Sequence, residues 1–218
     1  MELSNIREGL QPFLAAPLSA SQLRHISMYI DSLLRWNARV NLTSVRQPQQ
    51  ILARHFGESM FAAQELFRTG ANDRRPTTED NLVDLGSGAG FPGLPIKICY
   101  PELRVTLIES NQKKATFLRE VVRGLALTNV DVFCGRAEGY AGDRAAVVTL
   151  RAVERFDEVL PVAASLVAPA GRLALLIGAA QGDRVPRLAP NFAWAEPLLI
   201  PLSSNRVLLV GNRASEPT

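Results

Sequence analysis

The chain has 218 residues, 47% of them hydrophobic, with 24 Lys and Arg against 21 Asp and Glu and a formal net charge of +3; this length fits one domain with an appendage better than two complete domains. The longest apolar run, LVAPAGRLALLIGAA, is interrupted by Arg172 and by glycines, which excludes a membrane-crossing helix, and no basic-then-apolar signal opens the chain, so a soluble, cytoplasmic protein is expected. Cys99 and Cys134 are too few and too far apart for a disulfide framework or a zinc site, so buried, reduced thiols and no metal are expected.

Residues 1–75 read as a helical extension. A first helix is expected near Asn5–Leu14. Ser19 followed by Gln22 makes a capping box, and Leu23, Ile26, Ile30, Leu33 and Leu34 recur at helical spacing, which predicts a helix over 19–37. After WNARVNLTSVR, Pro48 opens another helix that runs to about Gly70, with Ile51, Leu52, His55, Phe56, Ser59 and Ala63 on one face. All of the excess charge lies here: residues 1–75 hold nine Arg and no Lys against six acidic residues, whereas 76–218 hold fifteen of each sign. Arginine suits phosphate recognition because its planar fork pairs with two oxygens at once, although a solvated helix face carries the same charge and is the commoner case. GANDRRPTTEDN, 70–81, has the composition of an exposed connection.

From about residue 76 to 218 the pattern changes to short apolar runs alternating with helical stretches. NLVDL, RVTLIE, VDVFC, AAVVTLRA and GRLALLIG read as buried strands; PIKICY, NQKKATFLREVVRGLAL and ERFDEVLPVAASLV read as the helices between them. This alternation predicts a mostly parallel sheet covered on both faces. FAWAEPLLIPL and NRVLLVG are separated only by SSN, too short for a crossover, and predict an antiparallel hairpin at one sheet edge.

The first strand leads into GSGAGFPGLP, where a ligand is expected. Gly88, Gly90 and Gly93 satisfy the dinucleotide fingerprint, with Glu109 about twenty residues on; read from Asp84, the same loop is D-x-G-x-G-x-G with Gly86, Gly88 and Gly90. A dinucleotide lays its pyrophosphate on free N–H groups at the start of the next helix, and Pro92 and Pro95 remove two of them. S-adenosylmethionine carries no phosphate, and its positive charge suits Asp84. The loop therefore favours S-adenosylmethionine, with Glu109 able to hold a ribose diol in either ligand. GRAE, 135–138, is placed to frame an adenine ring, and TLRA, 149–152, projects Arg151 toward cofactor or substrate; structural ion pairs with Glu138 and Glu154 are the alternatives for Arg136 and Arg151. Neither cysteine lies in a substrate-facing loop, as methylation at cytosine C5 would require, and the fourth strand ends in LRAVER where an Asn/Asp-Pro-Pro-aromatic loop often serves exocyclic amines. His25 and His55 both lie in the helical third. An acceptor with a free lone pair, such as guanine N7, is methylated by positioning and desolvation without a general base.

RWNARVNLTSVR with RHFGES, then DLGSGAGFPGLPIKI, LIESNQKKATFL, GRAE, LRA and NRVLLV, in this order and spacing, resemble the RsmG (glucose-inhibited division protein B) family over roughly residues 25–210. The resemblance implies a Rossmann-like class I methyltransferase with a seven-stranded sheet, acting on guanine N7 of 16S ribosomal RNA, bare or in the small subunit; a monomer is expected. It implies cofactor contacts at Gly86, Phe91, Ala137, Glu138 and Arg151, with Glu109 near the ribose, and a positioning role for Arg151 in the reaction. It also implies that Arg136, Arg151 and Arg206 face RNA and that the segment Asn37–Arg46, with Arg39 and Arg46, helps to receive it. For Trp36, Asn41 and Leu42, fixing the helix end against the main domain is at least as good a reading; His55, on the apolar helical face, reads as a hydrogen-bonded core residue. Three departures stand out: Ile177 before Gly178 where the family has lysine, Glu58 and Met60 in HFGESM where it has aspartate and leucine, and Arg39 in place of lysine. The alternatives are a small-molecule methyltransferase and a non-catalytic RNA-binding assembly factor.

Overall fold

The computed structural model describes residues 1–68, 77–151 and 155–215. Helix α1 (Leu3–Leu10) runs into a 3-10 turn, Gln11–Phe13, and α2 (Ala20–Asn37) follows. The expected capping box starts α2: Ser19 Oγ accepts from Gln22 N at 3.2 Å and Gln22 Oε1 accepts from Ser19 N at 2.8 Å. Pro48 opens α3 (Pro48–Ile51), which continues through a π-helical segment, Leu52–Gly57, into α4 (Glu58–Arg68). The remaining residues up to the expected end near Gly70, and most of the 70–81 connection, lie outside the described residues.

Then come β1 (Asn81–Leu85), α5 (Gly93–Cys99), β2 (Arg104–Glu109), α6 (Gln112–Gly124), β3 (Val130–Cys134) and β4 (Ala145–Arg151). They are followed by α7 (Phe156–Ser165), β5 (Val167–Gly178), two short helices α8 (Ala179–Gly182) and α9 (Val185–Leu188), β6 (Phe192–Trp194), β7 (Leu198–Leu199) and β8 (Arg206–Arg213). The sheet order is β3-β2-β1-β4-β5-β8-β6, with β7 also on β8. The first five strands are parallel, and β8 runs antiparallel to β5, β6 and β7.

Two expectations are corrected here. The sheet has eight strands, not seven, because Glu196 and Pro197 split FAWAEPLLIPL into β6 and β7. The hairpin is also not wholly at the edge: β8 inserts between β5 and β6, so Val207, Leu208 and Leu209 are buried. Conversely, VDVFC is half-exposed, because β3 is the opposite edge strand, and Cys134 at its end is exposed rather than buried. Cys99 is partly buried, and burial pushes its thiol up to about 12.

One face of the sheet packs with α5 and α6 against the N-terminal helices, in a core that joins Ile6, Leu33, Phe56 and Leu66 to Leu82, Leu107 and Leu176. The other face, with Val83, Leu85, Val148 and Ile177, is covered by α7 and α9. The order of strand addition reverses at β1, with β2 and β3 laid down on one side and β4 and β5 on the other, so the connections diverge to opposite faces at the carboxyl ends of β1 and β4.

Candidate functional site

Leu82 to Leu85 pair with Val147 to Leu150, which brings the glycine loop and Arg151 side by side at the carboxyl end of the sheet. Gly86, Gly88 and Gly90 have φ of 69°, 58° and 90°, a region that side chains adopt only under strain. Gly86 and Ser87 donate their N–H groups to Ile108 O, which folds the loop back over β2. Beside it lies a cavity of about 270 Å³. Leu85, Ile108, Val159 and Val162 give it apolar walls suited to a flat ring, and Gly86, Ser110, Gly135, Arg136, Ala137 and Glu138 form its rim. Glu109 stands between two lining residues, its carboxylate accepting from Gly88 N at 2.8 Å and Asn111 N at 2.7 Å.

The structure thus brings Gly86, Arg136, Ala137 and Glu138 together around one cavity; Gly88 and Glu109, hydrogen-bonded to each other, lie next to its lining residues in the chain but do not line it. It separates Asp84 from it. Strand alternation turns Leu85 toward the cavity and Asp84 to the opposite face, where its side chain is fully buried. Asp84 Oδ1 accepts from Thr149 Oγ1 at 2.8 Å and Oδ2 from Gly93 N at 3.1 Å. Burial pushes this carboxyl up to about 6 against the pull of those hydrogen bonds. Asp84 therefore ties the loop to β4 and α5 and presents no free oxygen to a cationic ligand. The first N–H groups of α5 are spent in the same way, Gly93 on Asp84 and Leu94 on Gly90 O, which leaves no cradle for a pyrophosphate.

Phe91 is likewise not on the cavity. It is 6% exposed and stacks on Tyr29 (centroids 5.3 Å apart) and His55 (4.8 Å), so it packs the glycine loop onto α2 and the π-helical segment. Gly90 serves the same contact: a Cβ there would lie 2.3 Å from Tyr29 Oη.

A second centre lies on the Phe91 side. Arg151 passes over the Phe91 ring at 5.8 Å, and its Nη2 donates to Arg54 O at 2.6 Å and to His55 Nδ1 at 3.0 Å. The same nitrogen is 3.3 Å from Glu58, whose carboxylate also takes Arg206 Nε at 2.9 and 3.0 Å. Arg151 and Arg206 are thus folded in and held by Glu58, so Arg151 is in an ion pair, the alternative weighed for it, though with Glu58 as the partner. The alternative partner considered for Arg151, Glu154, lies outside the described residues. Desolvation lowers the Arg151 guanidinium to about 10, still charged at neutral pH. His55 is lowered to about 3, chiefly by burial and then by Arg151. Because its Nδ1 accepts from arginine, the proton of the neutral ring sits on Nε2, 2.8 Å from Thr43 Oγ1.

The 37–46 segment is organised by Asn37, whose Oδ1 accepts from Leu42 N and Thr43 N and whose Nδ2 donates to Thr43 O. Trp36 donates to Glu120 at 2.9 Å and packs on Phe117, fixing the end of α2 against α6, and Leu42 is buried. Asn41, Arg39 and Arg46 are exposed on the loop, and Arg136 is exposed at the cavity lip. Ile177 is buried in the core beneath α7, on the opposite face of the sheet from Glu58.

Sequence reasoning missed Ser110 and the α7 side of the cavity, Arg155, Glu158, Val159 and Val162; their spacing marks one helix face, but nothing in it says that the face meets a ligand. It also noted Glu58 only as an unusual residue. The π-helical turn that aims Glu58 and His55 at Arg151 has no signature in the residues.

The strand order, the glycine turn and the cavity at the strand ends define a Rossmann-like methyltransferase fold. Solved structures with this fold include TrmN from Thermus thermophilus (TM-score 0.57, 20% identity, 74% of this chain and 53% of that one) and TYW2 from M. jannaschii in complex with AdoMet (TM-score 0.53, 16% identity, 72% and 75%). The rRNA small subunit methyltransferase G family profile (GidB) matches residues 22–195. Relatives named ribosomal RNA small subunit methyltransferase G share 36% identity in Chloroflexus aggregans, over 89% of this chain and 83% of that protein, and 38% in Xylella fastidiosa, over 84% and 82%. The chain belongs to this family of small-subunit ribosomal RNA methyltransferases.

Proposed function

We propose that the protein transfers the methyl group of S-adenosylmethionine to N7 of a guanine in 16S ribosomal RNA, acting as a monomer in the cytoplasm. The observation that carries this reading is the juxtaposition of two sites across the Leu85–Leu150 pair: an apolar-walled cavity at the glycine turn, and a guanidinium cluster whose potential bases are all engaged. The cavity fits an adenosyl group. Leu85, Ile108, Val159 and Val162 offer surface to a ring, Gly86 leaves the turn open, and Glu109, held at the end of β2 by Gly88 N and Asn111 N, would take a ribose diol on the remaining lone pairs of its carboxylate. When bound, the cofactor supplies an electrophilic methyl carbon on a sulfonium.

Transfer to N7 moves one positive charge onto the guanine ring and releases no proton, so what the chain must provide is alignment and exclusion of water. The groups around Arg151 match that requirement. His55 is neutral with both ring nitrogens engaged, Glu58 is spent on two arginines, and Asp84 is sealed beneath the loop. Arg151 is fixed at three points beside the glycine turn, which holds the turn and the π-helical segment in one relation where substrate would dock. Arg39, Arg46 and Arg136, exposed on the same chain, are available to RNA phosphates.

Labelled methyl transfer to isolated small subunits and to bare 16S RNA, followed by strand cleavage specific for N7-methylguanine, tests the proposal. Label at one cleavable guanine is the expected result. Label on small molecules alone, insensitive to salt, would instead favour a small-molecule methyltransferase, since RNA binding weakens steeply as salt rises.

A further inference from the structure

The connection between β7 and β8 closes over the π-helical segment and leaves a cavity of about 290 Å³ between them, on the far side of Glu58 from Arg151. Arg54, Glu58, Ser203, Ser204, Asn205 and Arg206 supply its polar lining. We propose that this cavity binds a backbone phosphodiester of the RNA substrate, with Arg54 as a further cation beside Arg206, which the family resemblance already turns toward RNA; the proposal rests on the reading that RNA is the substrate.

Three observations point to an oxyanion. First, Arg206 spends Nε on Glu58 but its Nη2, though buried, has no hydrogen-bond partner among the described residues. A buried donor left unmade is costly, and an oxyanion at this place would satisfy it. Second, the turn is closed by its own hydrogen bonds and presents a hydroxyl donor. Ile200 N donates to Arg206 O at 3.0 Å and Ser203 N to Ile200 O at 3.1 Å, while Ser203 Oγ accepts from Arg206 N at 2.9 Å and Asn205 N at 3.4 Å, which leaves its own proton to donate. Third, the charge is unbalanced in the direction of an anion. Three guanidinium groups, Arg54, Arg151 and Arg206, stand against two carboxylates, Glu58 at contact and Asp84 farther off on the Arg151 side, His55 is neutral, and Arg54 is exposed with no carboxylate partner among the described residues. Fork-shaped donors and a hydroxyl in one pocket suit the oxygens of a phosphodiester, whose single charge leaves Glu58 in place as the clamp on both inner arginines.

The test measures binding of a fluorescent 16S RNA fragment to the full chain across a range of salt concentrations, for the wild type and Arg54→Gln. The side chain of Arg54 is exposed and its carbonyl, the atom Arg151 uses, is kept, so the variant folds; an unchanged melting temperature checks this. The expected result is a loss of about tenfold in RNA affinity at low salt and a slope of log K against log[salt] shallower by about one, with S-adenosylmethionine affinity unchanged. A wild type that binds RNA steeply with salt and a variant that matches it in slope and affinity would overturn the pocket and leave the RNA reading standing. A wild type that shows no salt-dependent RNA binding would overturn the RNA reading itself. Millimolar inorganic phosphate serves as a competitor: displacement of RNA from the wild type only at concentrations that also displace it from Arg54→Gln supports the proposal, whereas tight phosphate binding that Arg54→Gln abolishes assigns the cavity to a free anion and overturns it.

Discussion

Asp84 shows how far a single residue can be read from its motif. D-x-G-x-G marked it as special, and it is, but a motif does not state which face of the strand its acid occupies; Leu85 and Asp84 are adjacent in sequence and on opposite sides of the sheet. The same limit hid the role of Phe91, whose neighbours Tyr29 and His55 come from far along the chain. The buried position of Asp84 has a consequence for stability. With its carboxyl pushed up to about 6 from an ordinary 3.8, the folded state takes up a proton more readily than the unfolded chain, so its contribution to stability is greatest below about pH 4 and is lost as pH rises through about 6. The two pKa values span roughly 3 kcal/mol. Asp84→Asn keeps both contacts, its carbonyl accepting from Gly93 N and its amide donating to Thr149 Oγ1, and carries no charge to desolvate. Urea unfolding at pH 4.5 and 7.5 should show the variant gaining on the wild type at the higher pH by about 2 kcal/mol, since about a third of the span is already lost at pH 4.5; a difference that does not change with pH would mean that Asp84 is not held as described.

At the level of elements, the inner parallel strands β1, β2, β4 and β5 were legible because strands covered on both faces read as continuous apolar runs, and α2 because Ser19 and Gln22 cap it. The end of the sheet was less so: one break at Glu196–Pro197 turned an expected strand into two, and the position of β8 between β5 and β6 depends on pairing that local residues do not encode. The glycine loop divides similarly. Its glycines looked equivalent, yet they answer to different neighbours. At Gly90, with φ 90°, a Cβ would meet Tyr29 Oη at 2.3 Å and Leu94 Cδ1 at 2.6 Å, whereas at Gly88, with φ 58°, the nearest atom is Gly86 O at 3.8 Å. Gly88→Ala should therefore cost only the left-handed strain of about 1 kcal/mol. Gly90→Ala must also displace a buried tyrosine that donates to Ala89 O, and should cost about 3 kcal/mol or more, with cofactor affinity falling as the loop shifts. Thermal or urea unfolding of the two variants separates these cases, and equal losses would rule out the Tyr29 contact as the reason for glycine at 90.

For the whole molecule, composition suggested an appendage on a domain, and the contacts argue that the appendage folds only with the sheet. Residues of α1, α2 and α4 share one core with β1, β2 and β5. Polar ties cross the same boundary: Trp36 to Glu120, Tyr29 to Ala89 O, Arg172 to Leu66 O and Arg151 to Arg54 O. Removing the helices would expose an apolar sheet face together with the orphaned ends of these bonds, so we expect residues 77–218 alone to aggregate. The chain carries its own probes of the alternative, because its two tryptophans lie in the two parts, Trp36 at the end of α2 and Trp194 in the edge strand β6. Trp194→Phe leaves a reporter on the extension and Trp36→Phe one on the far edge of the sheet. In urea, the fluorescence of each single-tryptophan variant should coincide with its own far-ultraviolet circular dichroism, with one midpoint per variant, as all-or-none unfolding requires. If Trp36 fluorescence instead moved at lower urea than the circular dichroism of the same variant, the extension would be a separate unit. The arrangement of Arg151 against Arg54 and His55 would then depend on an equilibrium between docked and undocked states.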